Sequence, residues 1–292
     1  MTERFAAAKL NLCLHVTGHR SDGYHELDSL VVHVDQGDWI IVEPADDLSL
    51  SVSGAFCEGI PADGRNLVLK AANLLAKQIG DPLGAKISLV KNLPSAAGIG
   101  SGSSDAAATL HLLSSLWNIA VPDLDGLSKL GADVPVSMSA ALSRMEGIGE
   151  RLTHLGDPPV LNFLLINPGV DLPTPKVFAA LTEKFNAPMP KELPELHSSE
   201  DWIDWLIMQR NDLEAPAIDL RPIVGEVLSA LRDWPSAKLA RMSGSGATCF
   251  ALFSSWADAQ EAEAHFAKTQ PNWWVRAART WNGKDQVSRS TT

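Results

Sequence analysis

Through the first ninety residues, apolar side chains recur at every second position. "LNLCLHV" (10–16) and "LSLSVSG" (48–54) alternate apolar with polar residues, and "SLVVHV" (29–34) and "WIIVEP" (39–44) are β-branched runs. That pattern predicts a strand-rich opening. Between the first two runs lies "TGHRSDGYHEL" (17–27), polar and glycine-bearing, a loop long enough to carry function. The period then lengthens. "NLVLKAANLLAKQIG" (66–80) has helical spacing and closes on Gly80 as a stop, "AKISLVKNLP" (85–94) reads as a strand, and "SSDAAATLHLLSSLW" (103–117) as an apolar helix. "DLDGLSKLGADVPVSM" (123–138) begins as another helix, breaks at Gly131 and sets Asp133 two residues before Pro135.

From about Pro158 a new section opens with the hydrophobic strand "PVLNFLLINPG" (159–169). "PTPKVFAAL" (173–181) turns into a helix, a polar stretch leads to helical "SEDWIDWLIMQRNDLEAPAI", and "PIVGEVLSALRDW" (222–234) is amphipathic. "AKLARMSGSGATCFALF" (237–253) is a strand, a glycine-serine turn and a second strand. The tail "NGKDQVSRSTT" has the composition of a disordered end. No internal repeat or low-complexity linker appears. The expected organisation is two domains, 1–155 and 156–292, meeting at a tight junction.

Composition narrows the function classes. The 292 residues carry 24 Lys and Arg against 35 Asp and Glu, a net charge of −11. That balance argues against a nucleic-acid or anionic-membrane surface, since such binding neutralises phosphates with basic side chains. It leaves room for one small phosphorylated ligand held by backbone amides, a lysine and Mg²⁺. No apolar run is long enough for a membrane span and the N-terminus has charges where a signal peptide needs an apolar core, so a cytoplasmic protein is expected. Cys13, Cys57 and Cys249 are widely spaced and expected to be buried free thiols. The nine tryptophans, Trp202, Trp205, Trp273 and Trp274 among them, are expected in cores or at the domain junction; monomer and weak homodimer both stay open.

The chemistry concentrates in "NLPSAAGIGSGSSDAAATL" (92–110), where Gly98, Gly100 and Gly102 precede a helix. Closely spaced glycines let backbone N–H groups approach a ligand at the positive end of that helix, which suits a phosphate. It is not the P-loop, for no lysine follows; it is not the dinucleotide fingerprint, for Ser103 stands at the third glycine position. A phosphate loop of another kind and a plain flexible turn both remain. The other candidates also have ordinary readings: Lys9 as a solvated strand end, Tyr24 and His25 as surface residues, Asp133 as a helix cap, Gly244 and Gly246 as a hairpin.

Taken together these segments match one pattern. "AAAKLNL", "PSAAGIGSGSSDAA" and "MSGSGATCF", in that order, resemble the three motifs of the GHMP kinase superfamily of small-molecule kinases. "AKLNLCLHVTGHRSDGYHEL" is similar to the signature of the branch that phosphorylates 4-diphosphocytidyl-2-C-methylerythritol in the non-mevalonate isoprenoid route, and "LGADVPV" and "PTPKVF" fit the same branch. The resemblance runs to about Phe253. It implies an α+β, two-domain fold, with a ribosomal-protein-S5-like nucleotide-binding domain, a ferredoxin-like C-terminal domain and a cleft between them.

It also implies the site. ATP phosphates would lie on Pro94, Gly98, Gly100, Ser101, Gly102, Ser103 and Ser104, with Asn66 and Lys91 near the adenine and Mg²⁺ as cofactor, its ligands unassigned. Asp133 would take the proton of the acceptor hydroxyl beside Lys9, which polarises that hydroxyl. Tyr24 would stack on the cytosine and His25 bond its edge, Asn11 would orient the acceptor, and Thr174 and Lys176 would reach the substrate from the second domain. His15, His19, His33 and His111 are expected to be structural or solvated. Asp105, where many members have asparagine or a small residue, is expected to face away from the phosphates and favour the helix dipole. A kinase for another small alcohol has no pyrimidine for Tyr24, a non-catalytic nucleotide-binding protein would have lost Lys9 or Asp133, and neither "GSGSS" nor "SGSGA" fits the G-x-S-x-G of a serine hydrolase.

Overall fold

The computed structural model describes residues 1–78, 83–95 and 97–284. Two long antiparallel strands, β1 (Thr2–His19) and β2 (His25–Pro44), open the chain and pair from Thr2 opposite Val42 to His19 opposite His25. The runs at 29–34 and 39–44 are therefore one strand. It passes through Gly37, where a Cβ would lie 2.5 Å from Ala6 O and from the Phe5 ring, so a side chain there would drive the ribbon apart.

β3 (Leu48–Ser53), β4 (Ala85–Val90), β5 (Ser143–Gly147) and β6 (Arg151–His154) complete the first sheet in the order β3-β4-β2-β5-β6, with β1 on β2. β5 and β6 escape the pattern reading because neither is long enough to show a period. The helices α1 (Leu67–Ala76), α2 (Ser101–Trp117), α3 (Leu124–Leu130) and α4 (Val134–Ser137) join this half. α1 and α2 bury Val68, Ala72, Leu75, Ala106, Leu110 and Leu113 against Ile40, Val42, Ile87 and Leu89. Each large aliphatic side chain there contributes roughly 1.5–3 kcal/mol of burial.

The second sheet is built from β7 (Asn162–Asn167), β8 (Ala237–Met242), β9 (Cys249–Phe253) and β10 (Trp274–Arg279), ordered β10-β7-β9-β8. Between β7 and β8 come α5 (Thr174–Ala180), α6 (Ser199–Ile207), α7 (Glu214–Leu220) and α8 (Pro222–Arg232); α9 (Trp256–Thr269) separates β9 from β10. That succession and strand order are the ferredoxin-like arrangement. α9 and β10 extend the fold past the last predicted strand. α9 hides its inward face because only Ala259, Ala262 and Phe266 are buried, a stripe too weak to read as amphipathic.

The two sheets share a core in which Ala8, Leu10, Leu12, Leu30 and Val32 meet Phe163, Leu165, Phe250 and Leu252. Trp202, Trp205 and Trp274 pack into this cluster and Trp273 into the neighbouring one. Cys13 and Cys249 are buried, whereas Cys57 is only half-buried on a turn. Burial pushes the Cys13 thiol up to about 12. No helix among the described residues is long and apolar enough to cross a membrane. Gly80, expected to stop α1, and the tail beyond Lys284 lie outside the described residues.

Candidate active site

Strand alternation alone would not aim Lys9 at a ligand. Ala6 faces the helical layer, so by a period of two Ala8 and Leu10 should follow it. The β1–β2 register shifts between Ala7 and Lys9, where residues 34–36 of β2 lie opposite Ala8 alone, and across this irregularity the parity is reversed. Ala8, Leu10 and Leu12 consequently enter the core between the sheets, and Lys9 and Asn11 line a cleft of about 790 Å³.

Lys9 Nζ lies 3.0 Å from Asp133 Oδ2, the lysine side chain 5% exposed and the aspartate 34%. Asp133 stands at the N-cap position of α4 without capping it, and its carboxylate reaches across to the lysine instead. Asn11 fixes the lysine from the other side. Its Oδ1 accepts from Lys9 Nζ at 2.9 Å, its Nδ2 donates to Ser29 Oγ at 2.7 Å, and Ser29 Oγ donates to Cys13 O at 2.7 Å. Asn11 thereby orients Lys9 from within the cleft wall.

The glycine loop meets this pair edge-on. Lys9 N donates to Ile99 O at 2.9 Å, and a Cβ on Gly100 would come within 3.1 Å of Lys9 Cε. Gly98 has φ 72°, and a Cβ there would lie 2.4 Å from Ser243 O in the second glycine turn. That turn docks on the loop through Thr248 N to Ala97 O (3.1 Å) and Ser243 Oγ to Gly98 O (3.0 Å). α2 begins at left-handed Gly100 with no side-chain cap, and its first internal bond is Ser104 N to Gly100 O at 2.9 Å. The preceding N–H groups are those a helix leaves unpaired at its positive end. Gly102 adds open space, for a Cβ there would meet nothing within 4 Å. This donor set, with Ser101 and Ser103 in the cleft wall, fits a polyphosphate.

Aromatic residues gather at the opposite end. Tyr24 is 59% exposed on the β1–β2 turn, and the His25 and Phe178 rings stack with centroids 5.0 Å apart and planes 28° apart. Burial, followed by the nearby charges of His19 and Lys184, lowers the His25 pKa, so its ring is neutral near pH 7. Thr174 Oγ1 shares a 2.7 Å hydrogen bond with Ser245 Oγ, which ties α5 to the second glycine turn.

The cleft thus assembles Lys9, Asn11, Tyr24, His25, Gly98, Gly100, Ser101, Gly102, Ser103, Asp133 and Thr174. Other predicted positions do not line it. Asn66 caps α1 by accepting from Val68 N (2.9 Å) and donates to Pro61 O (2.7 Å), so its side chain is spent on the helix start. Lys91 is held between Asp38 and Asp105 (2.8 Å to the latter) with its side chain 3% exposed. Pro94 is buried, Lys176 faces solvent, and Ser104 turns its hydroxyl toward Ser137 Oγ at 3.4 Å. Asp105 does not line the cleft; its carboxyl turns into this buried triad.

Four participants went unread in the sequence. Phe178 ends the segment "PTPKVF" but was given no role, Lys184 lies in a segment with no motif, His19 was set aside as structural or solvated, and Asn211 holds the second glycine turn by donating to Met242 O (2.7 Å) and Gly244 O (2.8 Å). Spacing within α5 is the one available signal, since Phe178 falls one turn after Thr174.

Comparison with known proteins agrees with this geometry. The GHMP kinases N terminal domain matches residues 66–141 and the GHMP kinases C terminal domain residues 193–272. The chain is 52% identical over 273 residues to the 4-diphosphocytidyl-2-C-methyl-D-erythritol kinase of Paracoccus denitrificans, covering 94% of each protein. To the enzyme of the same name from Cereibacter sphaeroides it is 49% identical over 280 residues, 96% of this chain and 99% of that one. A crystal structure of 4-(cytidine 5'-diphospho)-2C-methyl-D-erythritol kinase superposes with a TM-score of 0.79 at 32% identity, over 96% of this chain and all (100%) of the other. Identity at this level along the whole chain carries the fold, the cleft and its motifs together, and the chain belongs to the 4-diphosphocytidyl-2-C-methyl-D-erythritol kinases of the GHMP superfamily.

Proposed function

We propose that Lys9 and Asp133 carry the chemistry of this kinase and that the aromatic end of the cleft selects its substrate. The reaction is transfer of the ATP γ-phosphoryl group to the 2-hydroxyl of 4-diphosphocytidyl-2-C-methyl-D-erythritol, giving the 2-phosphate and ADP. Asp133 accepts the hydroxyl proton, and Lys9, 3.0 Å away, stabilises negative charge as it grows on the attacking oxygen. Asn11 keeps the lysine from rotating out of line. The unpaired amides at the start of α2 and the hydroxyls of Ser101 and Ser103 hold the triphosphate, and Gly102 lets it approach the backbone. Mg²⁺, when bound, supplies charge neutralisation on the phosphates. The hydroxyls of Ser101 and Ser103, in the cleft wall at the phosphate position, would hold it there.

At the other end, Tyr24 and Phe178 provide aromatic faces for the cytosine, and neutral His25 offers a donor and an acceptor to its edge. Lys184 complements the substrate diphosphate. The observation that carries the proposal is the Lys9–Asp133 pair, set in a cleft between an open helix N-terminus and an aromatic pocket. Asp133→Asn tests it: kcat should fall by roughly 10²–10⁴, the usual worth of a general base, while ATP affinity stays within about twofold. An unchanged kcat would remove Asp133 from the base role.

A further inference from the structure

Lys9 is steered by Asn11, and Asn11 in turn is steered by a serine that no motif marks. Ser29 lies in β2, 1% exposed, and pairs with Leu14 of β1 on one side and Met145 of β5 on the other. A residue held between two strands of a sheet has little freedom to move. Beside it β1 carries a bulge, for Asn11 and Cys13 stand against the consecutive residues Val31 and Leu30 and leave Leu12 over. The two carbonyls at the bulge are each met by a side chain, Leu12 O by Arg241 Nη1 at 2.9 Å and Cys13 O by Ser29 Oγ at 2.7 Å.

The second of these bonds fixes the sense of the contacts that follow. A hydroxyl has one hydrogen and a carbonyl can only accept, so the hydrogen of Ser29 goes to Cys13 O and its oxygen accepts from Asn11 Nδ2, 2.7 Å away. At the far end of the amide an ammonium can only donate, so Oδ1 must face Lys9 Nζ, 2.9 Å away. Turned the other way round, the amide would set its oxygen against a hydroxyl with no hydrogen left to give, and its NH₂ against a cation. Lys9 alone would select the oxygen yet leave the amide plane free to turn. Held at both ends, the plane is fixed. Among the described residues, two of the three N–H bonds of Lys9 go to Asn11 Oδ1 and Asp133 Oδ2, and the third is left for the reacting oxygens.

We infer that Ser29 is a positioning residue for phosphoryl transfer: through Asn11 it sets the direction in which Lys9 presents its remaining N–H to the attacking and transferred oxygens. The inference rests on the catalytic role proposed for Lys9 and assigns the aim of that lysine to a hydroxyl not bonded to it. The bond from Lys9 to the attacking oxygen strengthens as charge grows there, so a misdirected lysine is felt in the transition state more than in the bound ground state. The loss therefore falls on kcat.

In the full chain, Ser29→Ala should lower kcat by roughly five- to thirtyfold, the range over which a lost buried hydrogen bond acts, while KM for ATP and for the cytidyl substrate stay within about twofold. Ser29→Thr, which restores the hydroxyl, should recover most of that loss. Ser29→Cys keeps nearly the same shape with a weak donor and acceptor, so it guards against a misfolded alanine variant and should show the same separation of kcat from KM in smaller degree. A double-mutant cycle separates positioning from support of the bulge, because Cys13 O loses its partner whether or not Asn11 is present. In an Asn11→Ala background, Ser29→Ala should cost no more than about twofold further in kcat. Losses that multiply, a threonine variant as slow as the alanine one, a cysteine variant with wild-type kcat, or a raised KM for the cytidyl substrate at unchanged kcat would each overturn the inference. Lys9→Ala is the control for the reading beneath it. Lost turnover in Lys9→Ala with wild-type kcat in Ser29→Ala removes Ser29 alone, whereas wild-type kcat in Lys9→Ala removes the catalytic role of the lysine and this inference with it.

Discussion

Lys9 has its place in this molecule because of a register shift in the β1–β2 ribbon, where residues 34–36 of β2 lie opposite Ala8 alone. Without the register shift after Ala7, the parity of the strand would send the lysine into the core between the sheets and bring Ala8 to the cleft. Nothing in "AAAKLNL" announces that shift; the motif identified the lysine, and only the pairing shows why it faces the cleft. Tyr24 is the reverse case. It is the only tyrosine in the chain, and its surroundings in "DGYHEL" made it legible as a base-stacking residue. Its exposure of 59% leaves one face free for a ligand, so Tyr24→Ala should raise KM for the cytidyl substrate by roughly ten- to a hundredfold, the worth of one aromatic–base stack. KM for ATP should not move. Steady-state titration of each substrate measures both, and equal effects on the two would take Tyr24 out of the cytosine pocket.

At the scale of the element, the glycine loop is held in shape from two directions. The second glycine turn docks on Ala97 and Gly98, and Asp38 Oδ1 accepts from the backbone N–H of Asn92 (2.6 Å) and Leu93 (2.9 Å) just before the loop. Lys91 then joins Asp38 to Asp105 on α2, so the strand before the loop and the helix after it close on one buried triad. One cation faces two carboxylates there. Burial first, and the charge of Asp38 second, push the Asp105 carboxyl up to about 8, so it is protonated at neutral pH. Burial alone would lower Lys91, but the flanking carboxylates outweigh it and raise its pKa. A carboxyl raised in the folded state stabilises most below its unfolded value near 4, and that contribution is lost as pH rises through about 8. Asp105→Asn, which keeps the neutral shape, should therefore flatten the decline in Tm between pH 6 and 9 and leave Tm at pH 6 within about 2 °C. Differential scanning calorimetry across that range checks it; a variant that declines as steeply as the wild type would show that Asp105 is ionised throughout. No local pattern could disclose this triad, because its members come from β2, the residue after β4, and α2, and meet only when the sheet and helix pack.

Over the whole molecule, what the sequence made legible follows the range of the forces involved. The α+β class, the strands that feed the loop and the motif residues were readable because each rests on a local period or a short contiguous motif. Asn66 and Lys91 were placed near the adenine by resemblance; what no local pattern disclosed is that one also caps α1 and the other is also held as a buried ion. Phe178, Lys184 and Asn211 were missed for the complementary reason: they join the cleft only through the packing of the second sheet and its helices onto the first. The same packing sets the reaction between two halves of the chain, with phosphate amides and Lys9 from one and Thr174, Phe178 and Lys184 from the other. Such a cleft should serve one alcohol well and others hardly at all. The decisive measurement is ADP release by the purified protein with MgATP and, in parallel, 4-diphosphocytidyl-2-C-methyl-D-erythritol, mevalonate, homoserine and galactose. Turnover with the cytidyl substrate alone is the predicted result, and comparable turnover with any of the other three would contradict an aromatic pocket that selects for cytosine.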